Sequence, residues 1–91
     1  MRFTWSSRKV AENERKNGVT FEGAATVFDD VLSLTVADPD HSEGEERFLI
    51  FGVAASGKAL VVAHSEHSDT IRIISSREMT RQERQAYETT G

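Results

Sequence analysis

Apolar residues along this chain change their period several times, and each change marks the start of an element. Phe3 and Trp5 share parity near the N-terminus, as one buried face of a short strand requires. Ser6 then stands as a helix N-cap, with Trp5 before it and Val10 four residues into the helix, a hydrophobic-staple spacing. Gly18 supplies the stop, so the pattern predicts a helix to about Asn17. That helix offers only Val10 and Ala11 to a core, and one side of it stays wet. Thr20 is the next N-cap, followed by Phe21, Ala24, Ala25, Val27 and Phe28, an apolar stripe on a short second helix that ends at Asp29 and Asp30.

Alternation takes over at residues 31–36, where Leu32, Leu34 and Val36 share one face of a predicted strand. Residues 38–44 are turn chemistry, because Asp bonds its own following backbone, Pro fixes φ and Gly permits positive φ. Strand-like runs follow at 47–53, 59–66 and 70–75, with hairpin-length gaps that imply antiparallel neighbours. Thr80 and Glu83 make a T-x-x-E capping box for a last helix that runs to near Gly91. The order is strand, two helices, four strands, helix. It predicts an α+β class with an antiparallel-rich sheet, two N-terminal helices and one C-terminal helix.

A chain of 91 residues has room for one domain, 1–91. With 37% hydrophobic residues and one proline it is expected to fold. A core this small is marginal, which makes dependence on a partner a reasonable expectation. The absence of cysteine excludes disulfides and thiolate catalysis and fits a reducing compartment. The longest apolar run, 59–63, is far short of a membrane span, so a cytoplasmic protein without a membrane partner is expected.

Charge is unevenly spread. The net charge is -4, which speaks against a general nucleic-acid binder. Residues 1–19 carry +3, however, residues 20–46 carry -8 without a single base, and residues 47–91 carry +1. An anion can therefore be held on one side while the acids face elsewhere.

Phosphate loops, nucleophile elbows and zinc-helix motifs are absent from the sequence. His64, Glu66 and His67 suggest a metal, but on a strand His64 and His67 point to opposite faces, and no metal site is expected. Arg72 is more informative, since it stands inside the apolar run Ile71-Arg72-Ile73-Ile74 and needs either water or an anion. The plain partner is Glu66, Glu78 or Glu83, and the sharper one is an RNA phosphate. Arg77, at the passage from the last strand to the last helix, precedes Arg81 and Arg84 at offsets of four and three, along one helical side if the helix begins early enough, and the interleaved Glu78, Glu83 and Glu88 make ordinary surface pairing its plain reading. Tyr87 reads first as the ring that docks the last helix. His64 and Glu66 share parity and offer a proton acceptor with a neighbour to tune it. A three-residue loop at 67–69 pairs His64 with Arg72, whereas a two-residue loop puts Arg72 on the other face.

Taken together, these residues suggest a family. Lys9-Val10-Ala11-Glu12-Asn13-Glu14-Arg15-Lys16-Asn17-Gly18-Val19-Thr20-Phe21, then Ala24-Ala25-Thr26-Val27-Phe28-Asp29-Asp30, resembles the opening of BrnT toxins. So do Asp38-Pro39-Asp40-His41-Ser42 leading to Gly44-Glu45-Glu46-Arg47-Phe48, and the closing Ile71-Arg72-Ile73-Ile74-Ser75-Ser76-Arg77 with Thr80, Glu83 and Tyr87. Asn17 and His67 depart from the family pattern, where relatives often read His and Arg. The resemblance implies a RelE-like fold and a ribonuclease toxin of a type II toxin-antitoxin pair. It also implies a ribbon-helix-helix antitoxin of the BrnA kind, which neutralises the toxin and, with it, represses their operon; DNA is met only through that partner.

RNA cleavage needs a base for the 2′-hydroxyl, cations for charge on the phosphorane and a donor for the leaving oxygen. Neither metal nor cofactor is required. Arg72 and Arg77 are the expected phosphate clamp, converging on one water-accessible spot, because guanidinium donors match phosphate oxygens. Glu66 or His64 is the expected base, and Tyr87 orients the substrate or donates a proton. The competing reading is a non-catalytic interaction module, or a degenerate toxin acting only as a corepressor subunit.

Overall fold

A computed structural model describes residues 1–38 and 46–90. Strand β1 (Arg2–Thr4) leads into helix α1 (Ser7–Asn17). Helix α2 (Phe21–Ala25) continues as a 3-10 turn (Thr26–Asp29). Then come β2 (Leu34–Ala37), β3 (Phe48–Val53), β4 (Ala59–His67), β5 (Thr70–Glu78) and helix α3 (Arg81–Thr90). The five strands form one sheet in the order β1-β5-β4-β3-β2. β2 to β5 make an antiparallel meander, while β1 lies parallel to β5 with Phe3 opposite Ile71. The class is therefore α+β with three α-helices on a mixed sheet, a parallel pair needing the long crossover that α1 and α2 supply.

Both faces of the sheet are used. On the first, Phe21, Ala24 and Val27 from α2 and the 3-10 turn pack on Ile50, Leu60, Val62, Ile71 and Ile73, with Phe3, Trp5 and Val10 at the margin. On the second, Ala59, Val61 and Met79 pack with Leu49, Phe51 and Tyr87 where α3 crosses. Among the described residues no helix is long and apolar enough to cross a membrane.

Local signals explain most element ends. Gly18 adopts φ 69 and its N–H donates to the Glu14 carbonyl, a left-handed helix stop that only glycine takes without strain. Thr20 Oγ1 accepts from the Gly23 N–H at 3.0 Å, and Thr80 and Glu83 exchange the two bonds of a capping box. Ser6 occupies the N-cap of α1 but makes no side-chain cap bond.

Three expectations need correction, and a fourth falls outside the described residues. The strand expected from residue 31 begins at Leu34, because Asp30 Oδ1 accepts from Leu32 N–H and the Asp30 carbonyl from Ser33 N–H, a turn that leaves Val31 95% exposed. Ala11 is exposed, and α1 instead buries Asn13 beside the half-buried Val10. The last strand runs on to Glu78, so Arg77 belongs to β5 rather than to the side of α3 that carries Arg81 and Arg84. Of the acidic loop expected at 38–44, residues 39–44, with His41, lie outside the described residues.

Asn13 closes an edge that β1 leaves open. β1 covers β5 only at residues 70–72, beyond which the outer backbone of β5 needs other partners. Asn13 Oδ1 accepts from Ser76 N–H at 3.1 Å, and Asn17 Nδ2 donates to the Ser76 carbonyl at 3.0 Å. Asn17 Nδ2 also donates to Asn13 Oδ1, and Asn13 Nδ2 donates to the Val19 carbonyl. Two asparagines four apart on a polar helix thus dock it by hydrogen bonds.

Candidate nucleic-acid interface

The β4–β5 hairpin turns on Ser68 and Asp69, with Ser68 at φ 54, and pairs His67 with Thr70, Glu66 with Ile71 and Ser65 with Arg72. This two-residue turn places Arg72 on the face opposite His64 and Glu66. Further along, Ala63 pairs with Ser75 while His64 pairs with Ile73, so Ile74 is an extra residue in a β-bulge. The bulge has a direct consequence for charge. Arg72 and Arg77 are five residues apart, an odd separation that regular alternation would send to opposite faces. The added residue restores their phase, and Arg72, Ser75 and Arg77 all emerge on the α3 face, opposite Ser65, Ala63 and Val61.

Four residue steps along β4 separate the partners of the two arginines, about 13 Å of strand. The two arginines therefore rise from separate points of one face. Arg72 is exposed and has no side-chain hydrogen bond or ion pair among the described residues. Glu83 meets Arg77 instead: Nη1 donates to Oε1 at 2.7 Å and Nη2 to Oε2 at 2.9 Å, with a further bond from Nη1 to the Glu78 carbonyl at 3.2 Å. The Arg77 hydrogen bond, assisted by the Thr80 N–H, holds the Glu83 carboxyl down at about 2, and the same pair raises the Arg77 guanidinium.

The remaining site residues stand elsewhere. His64 is 0% exposed on the α1–α2 face, its ring 4.9 Å from Phe28 and 5.8 Å from Phe48. Its Nε2 lies 3.0 Å from Glu66 Oε2, and that carboxylate, 46% exposed, is what the pair shows to solvent. Tyr87 is half-buried and its hydroxyl donates to Asp30 Oδ2 at 2.6 Å. Bonding to Asp30 pushes the phenol up to about 12, and the same bond, with those from Val53 and Leu32 N–H groups, lowers the Asp30 carboxyl. Arg72 and Arg77 share a face with the ring of Tyr87, whereas His64 and Glu66 are across the sheet from them.

The sequence reading missed the neighbours that make this face polar. Thr4 of β1 sits beside Arg72, and Ser65 sits on its other side with an Oγ that is buried and has no hydrogen-bond partner. Arg47 precedes Phe48, whose partner is His64, so strand alternation aims Arg47 at the same face as Leu49 and Phe51. Thr4, Arg72, Ser65 and Arg47 thus run in a row across the sheet, beyond the part that α3 covers. Only Arg47 carried a sequence signal, the arginine opening a strand. The exposed Thr4 and Arg72 suit a phosphate backbone, with a cation for its charge and a hydroxyl for its oxygens, whereas the Ser65 hydroxyl is buried.

Residues 5–83 match a family model described as the ribonuclease toxin BrnT of type II toxin-antitoxin systems. No curated protein matches the chain.

Proposed function

The chain belongs to the BrnT family of ribonuclease toxins of type II toxin-antitoxin systems, and from that premise we propose that the open, cationic half of the α3 face grips and cleaves single-stranded RNA. The observation that carries this reading is the bulge at Ile74, which puts Arg72 and Arg77 on one solvent-facing surface. Their separation along the strand suits two different phosphates of one RNA strand better than a single phosphate.

Cleavage follows from attack of the ribose 2′-oxygen on the adjacent phosphorus. The 2′-proton leaves, the P–O5′ bond breaks, and the 5′-oxygen takes up a proton. Charge gathers on the non-bridging oxygens, where guanidinium donors stabilise it without a metal ion. Arg72 supplies uncompensated charge and Arg77 directed donors. His64 is sealed between two aromatic rings and serves as the packed partner of Glu66, so the base is assigned to neither. Electrostatic stabilisation and in-line positioning carry most of the rate. Tyr87 orients the site through α3, whose register it sets at Asp30.

A type II toxin has an antitoxin partner. We read that partner as a BrnA-like ribbon-helix-helix protein that covers the cationic face, meets operator DNA on behalf of the pair and represses with it. We read the architecture as RelE-like and the compartment as cytoplasmic. Induced expression with and without the antitoxin tests these assignments. Growth arrest is expected from the wild type alone, with arrest relieved by the antitoxin and lost in the Arg72→Ala, Arg77→Ala double variant. Arrest that survives the double substitution removes these residues from the site, and no arrest from the wild type turns the reading toward a non-catalytic corepressor subunit.

A further inference from the structure

We propose that Glu83 is a positioning residue, which grips the end of the Arg77 guanidinium so that its Nε–Nη2 edge is presented outward to a phosphodiester. The inference rests on the nuclease reading above. A guanidinium has five N–H donors, arranged as an end, formed by Nη1 and Nη2, and a side edge, formed by Nε and Nη2. Glu83 takes the end with two bonds, at 2.7 and 2.9 Å, and the Glu78 carbonyl takes the second hydrogen of Nη1. What remains is Nε–H and the second hydrogen of Nη2, parallel to one another and matched to two oxygens of a phosphate. Among the described residues Nε has no acceptor, and the Arg77 side chain is 46% exposed.

Glu83 is itself an anchored group. Its Oε1 accepts from Thr80 N–H at 2.8 Å, its own N–H donates to Thr80 Oγ1, and one turn later Tyr87 ties α3 to Asp30. The backbone therefore fixes the carboxylate, and the carboxylate fixes the arginine. Neutralising Arg77 in this way weakens its long-range pull on RNA, which leaves orientation as the gain and Arg72 as the source of attraction.

Glu83→Gln separates the roles, because Gln at this position still completes the capping box but no longer supplies a charged two-oxygen acceptor. The probe is a 2′-O-methyl RNA oligonucleotide, which binds without being cut, followed at the Arg77 Nε–H resonance; an unmodified oligonucleotide reports cleavage. In the wild type the Nε–H resonance is expected to shift on titration. In Glu83→Gln that shift shrinks and kcat falls about tenfold or more, while KM and the circular-dichroism spectrum of the folded protein stay close to wild type, since oriented donors act on the transition state. A wild-type Nε–H resonance that does not move, or a folded Glu83→Gln variant with undiminished kcat, overturns the proposal. A wild-type protein whose Nε–H responds but which cuts no RNA sinks the nuclease reading and leaves the phosphate fork standing.

Discussion

Asn13 is 7% exposed on a helix made mostly of charged residues, and its amide joins three segments: its own helix through Asn17, the start of α2 through Val19, and β5 through Ser76. Removing such a group leaves buried backbone donors and acceptors unsatisfied, a cost of about 1–3 kcal/mol. Asn13→Ala is therefore expected to lower the melting temperature by several degrees, since roughly 4–8 °C accompanies each kcal/mol in a domain of this size. Thermal unfolding by circular dichroism checks it; an unchanged midpoint contradicts the docking role. Asn17 faces the same junction and not the arginine row. The i, i+4 spacing of the two asparagines is visible in the sequence, but Ser76 is 63 residues from Asn13, and only the folded sheet brings that edge to α1.

At the scale of elements, α3 is held at two points, the Arg77–Glu83 pair at its start and the Tyr87–Asp30 bond further along. Asp30 reaches Tyr87 from a turn that presses on β3, where a Cβ on Gly52 would come within 2.8 Å of Val27 and 3.1 Å of the Asp30 carboxylate. The phenol is the donor in that bond, so its proton is retained in the folded protein until about pH 12. A raised folded value means that the contribution is whole below the ordinary tyrosine pKa near 10 and is lost as the pH climbs toward 12. Tyr87→Phe is expected to cost about 1–2 kcal/mol at neutral pH, and urea midpoints measured from pH 8 to 12 should show a wild-type advantage that fades across the upper part of that range. A constant difference would place the effect in ring packing alone.

The same scale shows why the site was only half legible. Element identities followed from caps and period: Gly18, Thr20 and the Thr80–Glu83 box sit where the chain turns in or out of helices. Counting by two along a strand fails wherever a bulge intervenes, and Ile74 carries no local mark that distinguishes it from Ile73. The hairpin register hung on one residue, and the turn at Ser68 and Asp69 settled it against a shared face for His64 and Arg72. The burial of His64 between Phe28 and Phe48 joins three separate segments and has no counterpart in spacing.

For the molecule as a whole, the net charge of -4 describes neither surface. Among the described residues, Asp29, Asp30 and Asp38 flank β2 at one edge of the sheet, while β1 and β5 toward the other edge bring Arg2, Arg72 and Arg77. RNA binding is expected to weaken as salt rises, and Arg72→Ala should flatten the plot of log affinity against log salt by about 0.7, the slope of one neutralised phosphate on a single strand. Asn17→Ala, which touches backbone and amide only, should leave the slope alone. Fluorescence anisotropy with a 2′-O-methyl oligonucleotide measures both, and equal slopes for wild type and Arg72→Ala would take Arg72 off the RNA path.

The parallel pairing of β1 with β5 joins the first three ordered strand residues to a strand that begins at Thr70. On a translating ribosome, residues 2–4 therefore wait for residues 70–72 before their sheet partner exists. A nascent polypeptide cut short ahead of that strand carries neither Arg72 nor Arg77, and its β4 has an unclaimed edge. Synthesis thus forms the proposed RNA-facing surface only after β4 has been made, and shorter nascent copies lack the arginines it needs.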